Sequence, residues 1–183
     1  MAGKEFMDKF GRNRRWAQER SCKDFTGAST NQHMKKLSAF LLAVGFSFGV
    51  FAQTKTLLNL DKSGVAIQGY DPIAFFSDHH PVMGKPEFMS HADGATYYFA
   101  SKEHKALFDK DPMKYEPCFG GYCAYGVSHN KLAHVDVEAF QIVDGKLYMQ
   151  YSKSVRDSFN EDQKGNLGKA NLNWPSLLEK KGM

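Results

Sequence analysis

The part of this sequence that we expect to fold lacks a surplus of positive charge. The 183 residues carry a formal charge of +4, yet residues 1–52 hold 9 Lys and Arg against 4 Asp and Glu, and residues 53–183 hold 15 against 16. The later segment also has no stripe of Lys and Arg with interleaved aromatic residues. A nearly neutral domain has little charge with which to displace counterions from phosphates, so we expect no nucleic-acid partner.

Several chemical signatures are missing as well. Gly120, Gly121 and Gly126 do not have the G-x-G-x-x-G spacing of a phosphate-binding loop. No paired carboxylates and no Ser/His/Asp set stand out, and the two-residue spacing of C-x-x-C redox enzymes is absent. We therefore name no catalytic residue and do not expect an enzyme. Internal repeats and domain linkers are also missing, which indicates a single domain over residues 57–179.

A hydrophobic run long enough to cross a membrane is lacking too. The apolar run that ends at Ala52 follows the basic pair Lys35-Lys36. It has about 16 residues, whereas a membrane-spanning helix needs roughly 20. A basic start, an apolar centre and a small final residue are typical of a secretory signal peptide. We expect residues 34–52 to be that peptide, and a retained N-terminal anchor is the alternative.

A signal peptide that starts at Met34 makes residues 1–33 an extra segment outside the functional protein. The mature chain then begins at Gln53 and has no stable membrane span. We expect it to be periplasmic or secreted, with Cys118 and Cys123 as its only thiols.

Two Asp-Gly pairs are the strongest structural signals in the mature chain. Asp93-Gly94 and Asp144-Gly145 each stand between segments of alternating apolar and polar residues. An Asp-Gly pair in that setting favours a tight antiparallel hairpin. We predict two such hairpins, the first with an aromatic face.

Short helices are predicted around the hairpins. Pro72 after Asp71 favours a helical turn, and Ser101 caps a helix that Asp111-Pro112 ends. Residues 154–181 have apolar positions spaced for two or three short helices. The predicted fold class is α+β, with a small antiparallel sheet of two Asp-Gly hairpins packed against short helices in a single domain.

Four segments together resemble one known family. They are YDPIAFF at residues 70–76, ATYYFASKEHKALFDKDPMKYEP at 95–117, GGYCAYGV at 120–127 and DGKLY at 144–148. In these segments the chain is similar to the extracytoplasmic YHS domain proteins of bacteria, and the resemblance covers nearly all of the mature chain. It implies a small α+β module of a kind often associated with heavy-metal handling, especially of copper.

The resemblance also implies where a metal would bind. The metal-binding relatives have cysteines at the positions that here hold Ala74, Ala100 and His104, so their sulfur-rich site cannot form. A metal would have to bind through Cys123, with His104 and with Cys118 or His134 completing the ligand set. Thiolate and imidazole ligands suit copper(I) or zinc. The leading hypothesis is therefore a module that binds a soft metal ion, copper first.

The Cys118 and Cys123 pair allows other interpretations. A disulfide between them would stabilise the fold by about 2 kcal/mol, in a non-catalytic module that binds a small ligand or a protein. A pocket lined by tyrosines with Cys123 at its base would suit such a ligand. A thiol oxidoreductase would need Cys123 as an accessible thiolate of low pKa. The last interpretation is a thiol that only packs in the core.

Overall fold

The computed structural model describes residues 55–182 and has two separate antiparallel sheets of two strands each. In the first sheet, β1 (Lys85–Ala92) pairs with β2 (Ala95–Phe99). In the second, β3 (Asp136–Val143) pairs with β4 (Lys146–Gln150). Short helices surround both hairpins, so the predicted α+β class is confirmed.

Both hairpin turns form where the Asp-Gly pairs predict them. The φ angles are 46° at Asp93, 90° at Gly94, 51° at Asp144 and 70° at Gly145. Positive φ at both central residues defines the type I′ turn, whose twist matches that of the strands it joins. The turn chemistry therefore fixes the register near the turns of both sheets.

Six α-helices and two 3-10 turns are found in the described part of the chain. The helices are α1 (Ala74–Ser77), α2 (Lys102–Lys110), α3 (Pro112–Tyr115), α4 (Ala124–Ser128), α5 (Lys153–Glu161) and α6 (Gln163–Lys181), and the 3-10 turns span Ile67–Gly69 and Cys118–Gly121. Ser101 caps α2 as predicted, because its side chain accepts a hydrogen bond from the His104 amide at 3.1 Å.

The C-terminal helix α6 is longer than predicted. Its 19 residues run through Pro175, where a short-helix interpretation would have ended it. Pro removes one backbone donor and disfavours a helix interior. Trp174 and Leu177, on either side of Pro175, are buried. Because packing of a buried face supplies most helix stability in proteins, these contacts hold the turns around the proline.

The buried side chains form two clusters that share strand β4. Leu147 and Met149 belong to the first cluster, and Tyr148 between them belongs to the second. Successive side chains of a strand point to opposite faces. Strand β4 therefore separates a core built on the first hairpin from a core built on α6.

No helix within residues 55–182 combines the length and the apolar character that a bilayer span requires.

Candidate functional site

A cavity of about 130 Å³ lies where the two clusters meet. Tyr97 of the first cluster lines it, together with Phe119 and Trp174 of the second. Four charged residues also line the wall: Lys55, Asp93, Glu116 and Lys146. The cavity thus combines aromatic surface with groups of both charges.

Three different elements supply the aromatic wall. Tyr97 lies on β2, where alternation along the strand directs it into the first cluster together with Phe99. Phe119 lies in the 3-10 turn with a φ of 54°. Trp174 comes from α6 and meets the Phe119 ring edge to face, with the ring centroids 5.7 Å apart.

The Tyr97 hydroxyl is a polar group in this wall that has no partner among the described residues. The residue is 3% exposed, and its hydroxyl forms no hydrogen bond with another residue of the described chain. Burial raises the pKa of Tyr97 well above its ordinary value, and the carboxylates of Glu116 and Asp93 raise it further. Tyr97 is therefore a neutral hydroxyl that can donate to and accept from a ligand.

Cys123 is a free, buried thiol, so the Cys118–Cys123 disulfide considered from the sequence is not formed. Its sulfur lies 3.3 Å from Oε1 of Gln150 and accepts from the Gly126 amide at 3.4 Å. The sulfur therefore has two hydrogen-bond partners. It caps the short helix α4, and its S–H donates a hydrogen bond to Gln150. A disulfide would have to break both of them.

The Gln150 side chain fixes the state of this thiol. Gln150 is fully buried, and its Oε1 also accepts from the Tyr125 amide at 3.0 Å. A backbone N–H can only donate, so the amide oxygen must face Tyr125 and Cys123 must present its S–H. Metal binding through this sulfur would remove the proton that Gln150 accepts. The arrangement agrees with a thiol that packs in the core. Cys123 is 1% exposed, whereas a cysteine that does redox catalysis has to be accessible to its substrate.

His104 is held by a buried carboxylate. Its Nδ1 lies 2.7 Å from Oδ2 of Asp71, which has no exposed surface. The same carboxylate accepts from the backbone amides of Ile73 at 2.8 Å and Ala100 at 2.7 Å. With Nδ1 bound to Asp71, Nε2 is the nitrogen that His104 keeps for another partner.

The four residues predicted as metal ligands do not form one ligand set. Nδ1 of His134 pairs with Oδ1 of Asn59 at 2.9 Å, and Cys118 lies in the cavity wall. His104 and Cys123 have the separate partners described above. Nowhere in residues 55–182 do three or more His, Cys, Asp and Glu side chains gather as a metal site would require.

The aromatic cavity was only partly foreseen from the sequence. A pocket lined by tyrosines at Cys123 is one interpretation that the sequence allows, but the cavity has Cys118 in its wall and Tyr97 as its tyrosine. The alternation of strand β2 is the signal that marks Tyr97 as inward-facing. No local pattern brings Phe119 and Trp174 together, since they are far apart in the sequence.

Comparison of the chain with protein-family models, with curated proteins and with solved structures gives no match.

Proposed function

We propose that this protein is a non-catalytic, exported module of the YHS type that binds a small organic ligand in its aromatic cavity. The observation that carries the proposal is the hydroxyl of Tyr97: the residue is 3% exposed and lines the cavity, and its hydroxyl has no hydrogen-bond partner among the described residues. A hydroxyl that lines a cavity without a protein partner can donate to and accept from a ligand or a water molecule there.

The size of the cavity limits the ligand. An engineered cavity of about 150 Å³ in another protein accepts benzene, so about 130 Å³ accommodates a group of roughly single-ring size. The walls offer aromatic surface for dispersion contacts and the Tyr97 hydroxyl for orientation. Sites for small molecules commonly have this composition, with mostly apolar walls and a few placed polar groups.

Trp174 provides a built-in reporter for the test. The chain has two tryptophans, Trp16 and Trp174, so a Trp16→Phe substitution in the full chain leaves the cavity residue as the only indole. Phenol, tert-butanol and tetramethylammonium would be titrated while Trp174 emission and thermal unfolding are followed. We expect saturable binding of at least one probe, together with a higher melting temperature.

A pair of tyrosine variants controls this experiment. Tyr97→Phe should weaken binding of the bound probe, whereas Tyr151→Phe, at a tyrosine that is 61% exposed, should leave it unchanged. If none of the three probes gives a saturable signal, the proposed function is wrong.

A soft-metal module is the second candidate, and the contact between His104 and Asp71 favours it. A metal-bound histidine usually donates its other ring N–H to a carboxylate, which fixes the tautomer. His104 has that arrangement, with Nε2 left for a metal ion. Copper(I) is the first choice and zinc the second. Cys123, the proposed sulfur ligand, would have to leave Gln150 and approach His104.

Copper(I) titration under reducing conditions tests the metal candidate. Wild type, Cys123→Ser and His104→Ala would be compared, with His91→Ala as a control for an exposed histidine. If the metal binds through the proposed ligands, Cys123→Ser and His104→Ala should lose affinity for copper(I), and His91→Ala should bind it like wild type. Equal and weak binding by all four proteins would exclude the candidate.

Export is supported by the basic and apolar segment at residues 34–52. Mass spectrometry of the native protein should give a chain that begins at Gln53. A native chain that begins earlier would contradict cleavage at this position.

A further inference from the structure

We infer that the ligand of the aromatic cavity is a small uncharged compound with one aromatic ring and one hydroxyl group. The inference rests on the proposed function, because it names the ligand class of the same cavity. It is carried by the way in which burial divides the cavity wall: the buried residues are uncharged, and the charged residues reach solvent.

The buried part of the wall has no Asp, Glu, Lys or Arg side chain. An ion that enters it would lose its hydration water without gaining a counter-charge, which costs far more free energy than burial of a neutral ring. The buried part of the wall therefore favours an uncharged group over an ion of either sign. The residues in question are Leu57, Tyr97, Pro117, Cys118, Phe119 and Trp174.

The four charged residues of the wall form a rim at the protein surface. Lys55 and Asp93 are exposed, and Glu116 and Lys146 are half-buried. The rim has two lysines and two carboxylates, so its formal charges cancel. Charges in contact with solvent are also screened by salt. The rim therefore gives the cavity no preference for a cation or for an anion.

Two of the rim charges already interact with other groups of the chain. The ammonium group of Lys55 donates to the backbone oxygen of Glu179 at 2.9 Å, and Glu116 has a partner as well. A charged ligand would have to compete with these contacts, whereas an uncharged ligand leaves them intact.

The aromatic rings of the wall define the shape of the ligand. Phe119 and Trp174 meet edge to face, with the ring centroids 5.7 Å apart, and Tyr97 lines the same cavity. Aromatic rings in edge-to-face or offset contact attract each other beyond the effect of the area that they bury. A ligand ring gains the same attraction, and about 130 Å³ accommodates roughly one ring.

The Tyr97 hydroxyl matches the hydroxyl of the ligand. It has no partner among the described residues, and a neutral phenol can both donate and accept a hydrogen bond. An alcohol or phenol group on the ligand can do the same, so the contact forms with either group as the donor. Met113, which also lines the cavity, is 65% exposed, so the wall reaches the protein surface there.

Benzyl alcohol, benzylammonium and benzoate separate charge from shape, because each has one ring and one short substituent. All three would be titrated at neutral pH into the full chain carrying Trp16→Phe, with Trp174 emission and calorimetry as readouts. We expect both ions to bind at least about tenfold more weakly than benzyl alcohol, since burial of an unpaired ion is costly.

Toluene, which lacks the hydroxyl, tests the contact with Tyr97. Tyr97→Phe should weaken binding of benzyl alcohol by roughly two- to tenfold, the net effect of one hydrogen bond, and leave binding of toluene unchanged. Tyr151→Phe, at a tyrosine that is 61% exposed, is the matched control. It should bind both compounds like the parent protein.

Neutralisation of the rim tests whether its charges take part in binding. Asp93→Asn and Lys146→Gln should each change the affinity for benzyl alcohol by less than about twofold, because the rim is screened by solvent. Asn tolerates positive φ, so Asp93→Asn preserves the type I′ turn. A larger change in either variant, with the fold intact by circular dichroism, would contradict the inference.

The outcomes distinguish this inference from the proposed function. If either ion binds as tightly as benzyl alcohol, or if Tyr97→Phe affects toluene and benzyl alcohol equally, the inference is wrong while the small-ligand function stands. The same holds if tert-butanol or tetramethylammonium binds and benzyl alcohol does not. If none of these compounds binds, and phenol does not bind either, both are wrong.

Discussion

Asp71 connects three parts of the chain through one buried side chain. Its two carboxylate oxygens accept from the Ile73 amide ahead of α1, the Ala100 amide at the end of β2, and the His104 ring on α2. A buried carboxylate is costly unless its oxygens are hydrogen-bonded. Asp71-Pro72 therefore begins a helical turn, and the Asp71 carboxylate also connects that turn to the first hairpin through its hydrogen bonds.

Removal of the His104 ring should destabilise the fold. His104→Ala leaves the buried carboxylate of Asp71 with one donor fewer, and we expect a loss of about 1–3 kcal/mol in the free energy of unfolding. Asp71→Asn should cost at least as much, because its amide group would face donors on Ala100 or His104. Urea unfolding measures both changes.

His91→Ala is the matched control for His104→Ala. His91 is exposed on β1, and its contact is with the Thr96 hydroxyl. We expect a change within about 0.5 kcal/mol. If the two histidine variants are equally stable, Asp71 does not depend on His104.

Tyr97 should make the fold sensitive to alkaline pH. Its pKa in the folded protein is raised by burial and by Glu116 and Asp93, while in the unfolded chain it is about 10. Above that pH the unfolded state loses the proton first, so stability falls as the pH rises. Below about pH 10 the Tyr97 hydroxyl is protonated in both the folded and the unfolded state, so its ionisation does not lower the stability of the fold.

Unfolding of wild type and Tyr97→Phe at about pH 9 and pH 11 isolates this effect. Wild type should lose more stability across that interval, because phenylalanine has no proton to lose. Tyr151→Phe, at the exposed tyrosine, should behave like wild type. Equal losses for wild type and Tyr97→Phe would contradict the prediction.

At the scale of elements, the 3-10 turn at Cys118–Gly121 makes close backbone contact with residues 57–59. The Gly120 carbonyl accepts from the Asn59 amide at 2.8 Å, which connects the backbone at Asn59 to the turn. A Cβ on Gly120 would lie 2.0 Å from the Leu57 carbonyl oxygen. Gly120 thus allows a close backbone contact with Leu57 that the sequence does not reveal.

Alanine substitutions at the two glycines should differ in cost. Both residues have positive φ, which costs a non-glycine residue about 1–2 kcal/mol. Gly121→Ala should lose about that much, since its Cβ would meet Pro117 Cγ at 3.4 Å, an ordinary contact. Gly120→Ala should lose clearly more, because it also displaces the backbone at Leu57. Chemical denaturation compares them, and equal losses would be inconsistent with the contact.

At the scale of the whole molecule, the two clusters depend on each other through β4 and the cavity. Strand β4 supplies side chains to both clusters, and Tyr97 lines the same cavity as Phe119 and Trp174. Helix α6 packs against the second cluster through Trp174 and Leu177, and it continues past Pro175. The stability of the cavity therefore depends on the packing of α6.

Two leucines of α6 test how this helix contributes. Leu177 is 6% exposed and Leu172 is 81% exposed. Leu177→Ala should cost about 2–5 kcal/mol through lost burial and the space left behind. Leu172→Ala should change stability by less than about 0.5 kcal/mol. Similar effects of the two substitutions on thermal unfolding would mean that α6 does not pack as described.

Local chemistry in the sequence determined the hairpins and the caps. Asp93-Gly94 and Asp144-Gly145 set the type I′ turns, and Ser101 set the start of α2, because each effect acts over a few neighbouring residues. The α+β class follows from these signals. The YHS resemblance and its metal function stay predictions, as does the signal peptide, which lies outside the described residues.

Only the tertiary structure decided the state of the cysteines and the position of the cavity. Cys118 and Cys123 are near in sequence, yet the Cys123 thiol is free and donates a hydrogen bond to Gln150 of β4. Tyr97, Phe119 and Trp174 line one cavity although they come from a strand, a turn and a distant helix. Such contacts depend on which elements pack together, and neither residue spacing nor local propensity contains that information.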